Sequence, residues 1–213
     1  MDYNKGYKIV AIVALLLGVV GVTLGYAAFS NTLTISTTAE VRPDSSAFNV
    51  DFSTSSSSVV ADPIVPTLSP ATDGPTATNG TINNTNAPTA TNLKATFTEP
   101  GQEVTYSFYA YNAGEYVAYL NSISFVGSKT CTAATGTTQA LVDTACTGIT
   151  LSAQVGSEAA TSTDVTSISS HSLEINAGEA VIVKITYAAN AGRADGDFDV
   201  TLPDIVLTYD SVD

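Results

Sequence analysis

Three groups of side chains in this sequence could do chemistry. In Asp195-Gly-Asp197-Phe-Asp199, with Asp204 nearby, carboxylates stand at alternate positions. A hard cation such as calcium takes roughly six to eight oxygens, and such a run can wrap one. The spacing matches part of an EF-hand loop, but the glycine is displaced and Val206 stands where the bidentate glutamate belongs. Calcium at Asp195, Asp197 and Asp199 is therefore the one cofactor to consider. The plain alternative is an acidic turn leading into a strand at Phe198.

Cys131 and Cys146 are the only cysteines, flanked by Thr, Ala and Gly. Two cysteines in a loop-like setting predict a disulfide that clips a surface excursion, if the chain is exported. Closing a loop of this length is worth about 3 kcal/mol. A redox role lacks its Cys-x-x-Cys pattern. His171 is the single histidine, in Ser169-Ser-His-Ser172, and reads as a solvated loop residue. Zinc hydrolysis needs several ligands, and the His-Glu-x-x-His pattern is absent. No Gly-x-Ser-x-Gly elbow marks a nucleophile either. The sequence thus presents no catalytic constellation, and a secreted hydrolase ranks last among the readings weighed here.

The element that decides where these residues work is the N-terminus. Lys5 and Lys8 precede an apolar run from Ile9 to Phe29, and the run exits through Gly25-Tyr26-Ala27. A basic start, an apolar middle and a small-residue exit are the layout of a secretory signal, with cleavage between Ala27 and Ala28. The alternative is a retained single-pass anchor, since the run is long enough to span about 30 Å of hydrocarbon. Both readings export everything after Ala27 to the cell surface or beyond.

The full chain of 213 residues carries a formal charge of −13; losing Asp2, Lys5 and Lys8 with the signal makes it −14. Nucleic-acid binding needs clustered Lys and Arg, so this charge excludes it. It also disfavours anionic lipid surfaces, leaving membrane contact to the N-terminal run alone. Self-assembly of such a chain has to rest on apolar burial and backbone pairing.

After the signal the chain reads as all-β. Leu33 and Ile35 alternate with threonines, and Phe48, Val50 and Phe52 alternate next. From Ser53 to Asn92 the pattern collapses into Pro, Ser, Thr and Asn, which predicts an irregular loop or linker. Pro100-Gly101 then opens a clear strand with Val104, Tyr106 and Phe108 on one face, closed by Asn112-Ala-Gly114. A similar cassette follows: Ala177-Gly178, then Val181, Val183, Ile185 and Tyr187, closed by Asn190-Ala-Gly192. Further strands fall at Val117–Val126, Ile149–Val155, Phe198–Leu202 and Ile205–Tyr209, with Pro203 marking a bulge or an edge. One or two helical turns are allowed over 137–144. The fold class that follows is an antiparallel Greek-key or jelly-roll-type β-sandwich behind an N-terminal hydrophobic signal helix. Its parts are a signal over 1–27, N-terminal strands over 28–52, the linker over 53–92 and the main sandwich over 93–213.

Gly25-Tyr26-Ala27-Ala28-Phe29-Ser30-Asn31, the Leu-Thr-Ile-Ser strand after it and the two turn–strand–Asn-x-Gly cassettes together resemble the TasA/camelysin family. Members are secreted proteins processed by the signal peptidase SipW, and several build biofilm matrix fibres. The resemblance implies a jelly-roll-type sandwich. It also implies a donor strand at Ala28–Ser36, with Phe29, Leu33 and Ile35 inserting into a neighbouring subunit. The expected function is that of a secreted, non-enzymatic extracellular matrix subunit whose partner is itself. Although camelysin is described as a protease, no residue pattern here supplies that activity. The alternative is a membrane-anchored surface domain that binds a partner or glycan, with 53–92 as its stalk.

Overall fold

The computed structural model describes residues 30–35, 47–85, 88–161 and 166–211. In chain order the elements are β1 (Ser30–Ile35), β2 (Val50–Ser53), β3 (Thr67–Ser69), β4 (Thr76–Ala77), β5 (Thr81–Asn83) and β6 (Thr89–Thr91). Next come β7 (Lys94–Phe97), β8 (Glu103–Asn112), β9 (Ala118–Val126), β10 (Thr130–Ala133) and α1 (Gln139–Cys146). The chain ends with β11 (Ile149–Val155), β12 (Glu158–Thr161), β13 (Thr166–Leu173), β14 (Gly178–Tyr187), β15 (Phe198–Thr201) and β16 (Asp204–Ser211). The sandwich expected from the alternating strands is present. Residues 1–29, where the signal or anchor is expected, lie outside the described residues; among those described, no helix is long and apolar enough to cross a membrane.

One layer is the unbroken sheet β12-β11-β14-β8-β2, with β3 also on β8. The two cassettes are its centre and each other's partners: Val104 faces Ile185, Tyr106 faces Val183, and Phe108 faces Val181. Each cassette's turn docks on the other's end. The Gly101 N–H donates to the Tyr187 carbonyl at 2.7 Å, and the Asn112 N–H to the Ala177 carbonyl at 2.9 Å. The buried Asn112 carboxamide fixes the first cassette's end. Its Oδ1 accepts from Gly114 N–H, and its Nδ2 donates to the Tyr116 and Leu173 carbonyls. Asn-x-Gly suits this place because the side chain makes a turn of its own and Gly114 has no room for a Cβ, which would meet Asn49 N at 2.7 Å.

The facing layer is split in two, a six-stranded sheet β13-β9-β16-β1-β6-β5 and a four-stranded sheet β10-β15-β7-β4. Both pack on the unbroken sheet. Tyr187 stacks edge-on to Phe97 and Phe198 of the four-stranded part, and His171 of β13 meets Glu179 of β14. The split is a seam where strands change sheet. β9 continues into β10 through Gly127 (φ +98°), β6 into β7 through Asn92 (φ +62°), and β16 follows β15 across Leu202-Pro203. Pro203 breaks the alternation at 198–209 because it has no N–H for a ladder, so the chain steps between sheets there.

The segment 53–92 corrects the expectation of a linker. It is irregular but folded, contributing β3 to β6. Ile64, Ile82, Ala90 and Leu93 are buried. The Tyr106 hydroxyl accepts from Lys94 N–H at 3.1 Å and donates to the carbonyls of Lys94 (2.8 Å) and Thr78 (2.9 Å). Asn84 imitates a strand: its Nδ2 donates to the Phe52 carbonyl and its Oδ1 accepts from Phe52 N–H. A few apolar anchors and side-chain-to-backbone bonds replace the periodic burial that the sequence lacks.

Candidate functional site: the fork that β1 fills

In the four-stranded sheet β15 and β7 are direct partners, paired from Phe198↔Phe97 to Thr201↔Lys94. Across the seam their continuations, β16 and β6, are no longer neighbours, because β1 lies between them. The layer therefore forks, and the fork is closed by β1, the first of the described strands. β1 runs parallel to β6, with Thr34 facing Thr89. Since β6 runs towards the seam, the Ile35 end of β1 points into the fork. A parallel partner so close in space requires a long connection, and the chain passes through β2 to β5 between β1 and β6.

The fork is lined on one side by β16, whose Ile205, Leu207 and Tyr209 are all buried, and on the other by β6 and β5 with Ala90 and Ile82. Taking β1 out would bare two strand edges above this apolar floor. Each unpaired buried backbone group costs about 1–3 kcal/mol, so the slot demands an occupant. Leu33 and Ile35, expected to insert into a neighbouring subunit, lie in β1, and here that strand pairs within its own chain and fills its own slot. Phe29 and the cleavage pair Ala27 and Ala28 fall outside the described residues.

The expected calcium residues are not brought together. Asp195 Oδ1 accepts from Thr138 N–H at 2.9 Å and Oδ2 from Thr138 Oγ at 2.7 Å, closing the start of α1 from a distant loop. These bonds hold its carboxyl below the usual range. Asp199 points from β15 to Lys94 Nζ (2.7 Å) and Thr96 Oγ (2.6 Å). Burial works to raise its carboxyl, but the bonds from Lys94 and Thr96 and the Lys94 charge outweigh that and leave it lowered. Two of the three carboxylates have thus taken separate partners, and no group of His, Cys, Asp and Glu among the described residues could hold a metal ion. The parity of β15 explains the correction: Phe198 and Val200 face the core, so Asp199 faces out across the sheet.

Cys131 and Cys146 do form the disulfide, joining β10 to the end of α1. Such a bond fits an oxidising compartment. Gln139 reinforces the same unit, accepting from Ala133 N–H and donating to the Cys131 carbonyl.

His171 is not a solvated loop residue. It sits in β13, opposite buried Leu120 of β9, which faces Tyr209 of β16. Its Nε2 lies 2.6 Å and 2.7 Å from the two Glu179 carboxylate oxygens, and its Nδ1 lies 3.8 Å from Glu158 Oε1. The one available signal was Leu173 two positions on, which marks His171 as inward-facing in a strand.

Comparison with protein-family models, curated proteins and solved structures finds no match.

Proposed function

We propose that this protein is a secreted structural subunit that polymerises by exchanging β1 between copies. The observation that carries this reading is the fork: a central slot in the sheet, filled by the strand nearest the N-terminus. A strand held at one end by a connection can fill the same slot in its own chain or in a neighbour, with the same ladder in both cases. Ala47 and Asn49 are hydrogen-bonded into the fold and Phe48 is buried, so the connection available is 36–46, which at about 3.3 Å per extended residue reaches roughly 36 Å towards an adjoining copy. Passing the strand head to tail creates a heterologous contact that need not close, and the product is a fibre.

The acidic chain suits this mechanism, because backbone pairing and apolar burial work against charge repulsion that salt screens. The export signal and the resemblance to the TasA/camelysin family point the same way, to an extracellular matrix or biofilm setting. Paired β1 describes the subunit before exchange, with its own strand as a temporary occupant. The reading is tested by removing residues 28–36 and examining the protein by electron microscopy. Loss of fibres, with fibres restored when β1 is retained, is expected. Fibres formed without β1 would refute the mechanism.

A further inference from the structure

We propose that His171, Glu158 and Glu179 form a proton-operated clamp between the two layers of the sandwich. His171 belongs to β13 of the split layer, whereas Glu179 of β14 and Glu158 of β12 belong to the unbroken sheet. Contact through the ring therefore ties one layer to the other at the corner where β12 and β13 meet.

The carboxylates lie on opposite ring nitrogens, Glu179 on Nε2 and Glu158 on the Nδ1 side. A metal ion needs its ligands to converge on one point, and these do not. An imidazolium has two N–H donors pointing in opposite directions; the Nε2 side meets Glu179 at hydrogen-bond distance, and the Nδ1 side faces Glu158 at 3.8 Å, an ion-pair contact. The neutral ring has one donor and can serve only one carboxylate. Losing the proton then leaves two half-buried acidic groups, Glu179 the more shielded, beside a ring that compensates neither fully.

The site is built into the backbone. Gly156, at φ +54°, forms the turn between β11 and β12, and a Cβ there would come 1.9 Å from Glu179 Oε1 and 3.2 Å from the His171 ring. The other strands around the ring bring Leu120 from β9 and Tyr209 from β16. The Tyr209 hydroxyl is buried with no hydrogen-bond partner. Burial pushes it upward, and the Glu179 charge adds to this, so it stays neutral and is no rival proton source. Among the described residues the titratable groups facing the ring are Glu158 and Glu179, with the neutral Tyr209 within reach of the Glu179 charge.

The clamp is complete while the ring carries both protons and weakens when it loses one, so stability should fall as pH rises. His171 is the only histidine, so its ring signals in NMR are unambiguous. In the full chain, the loss of ring charge should coincide with faster amide exchange in β12 and a fall in Tm of about 2–5 °C. H171Q should abolish that fall. E158Q should reduce it, because one of the two stranded carboxylates is gone; this variant also serves if H171Q does not fold. A ring that titrates without change in exchange or Tm, or a variant with the unaltered pH profile, would overturn the clamp.

Discussion

Thr201 and Lys94 face each other as the last pair of β15 and β7 before the two strands part around β1. Everything on one side of that pair is an ordinary antiparallel ladder, and everything on the other side depends on an inserted strand. The seam at Asn92, Gly127 and Pro203 causes the change, since each of these residues bends its strand out of one sheet and into the next. The structural cost of an empty slot falls on β16 and β6, not on the cassettes at the centre of the other layer. The proposed exchange would therefore leave β8 and β14 holding the core together.

The Tyr106 hydroxyl is the bolt between the core and the irregular 53–92 segment. Burial pushes it up to about 12 despite its hydrogen bonds with Lys94 and Thr78. A tyrosine raised above its ordinary value of about 10 contributes stability that is complete below that pH and lost as pH rises towards 12. Thermal melts between pH 8 and 11.5 should show this decline, with a smaller one in Y106F. At neutral pH, Y106F should lose about 1–3 kcal/mol, because the Thr78 carbonyl and the Lys94 N–H lose their bonds to the hydroxyl, while the Lys94 carbonyl still accepts from Thr78 N–H.

The disulfide joins β10 to the end of α1 across a separation of 15 residues. Replacing both cysteines by serine should cost about 3 kcal/mol in denaturant titrations. Proteolysis should then cut first within 127–148, because α1 buries only Val142 and Ala145 and is otherwise held by the hydrogen bonds of Gln139 and Asp195.

Calcium should leave Tm unchanged, since Asp195 and Asp199 are committed to Thr138 and Lys94. Acid should act on the Asp195 contact instead. Its lowered carboxyl supports the start of α1 above the ordinary aspartate range, and that support is lost as pH falls through the lowered value. Faster amide exchange at the start of α1 in D195N, with no effect of added calcium, is the expected result.

The cassettes were legible in the sequence because a half-buried strand writes its face at every second residue, as Val104, Tyr106 and Phe108 do. Their mutual pairing was not, since Phe108 and Val181 lie far apart in the chain and nothing local states the partner. The 53–92 segment hid its fold for another reason. Its anchors are widely spaced, and its hydrogen bonds run from Asn84 and Tyr106 to backbone, so no period exists to read. His171 was obscured by the serines around it, which have loop composition but here lie in a strand. The fork itself is a product of topology, visible only once β15 and β7 are seen to pair while β16 and β6 do not.

Strand exchange is tested most directly by the facing pair Thr34 and Thr89. Chains carrying T34C are mixed with chains carrying T89C, allowed to assemble, and oxidised. The account predicts covalent dimers containing one chain of each kind. Uncrosslinked chains from that mixture, together with a T34C/T89C double variant that closes only within single chains, would contradict it.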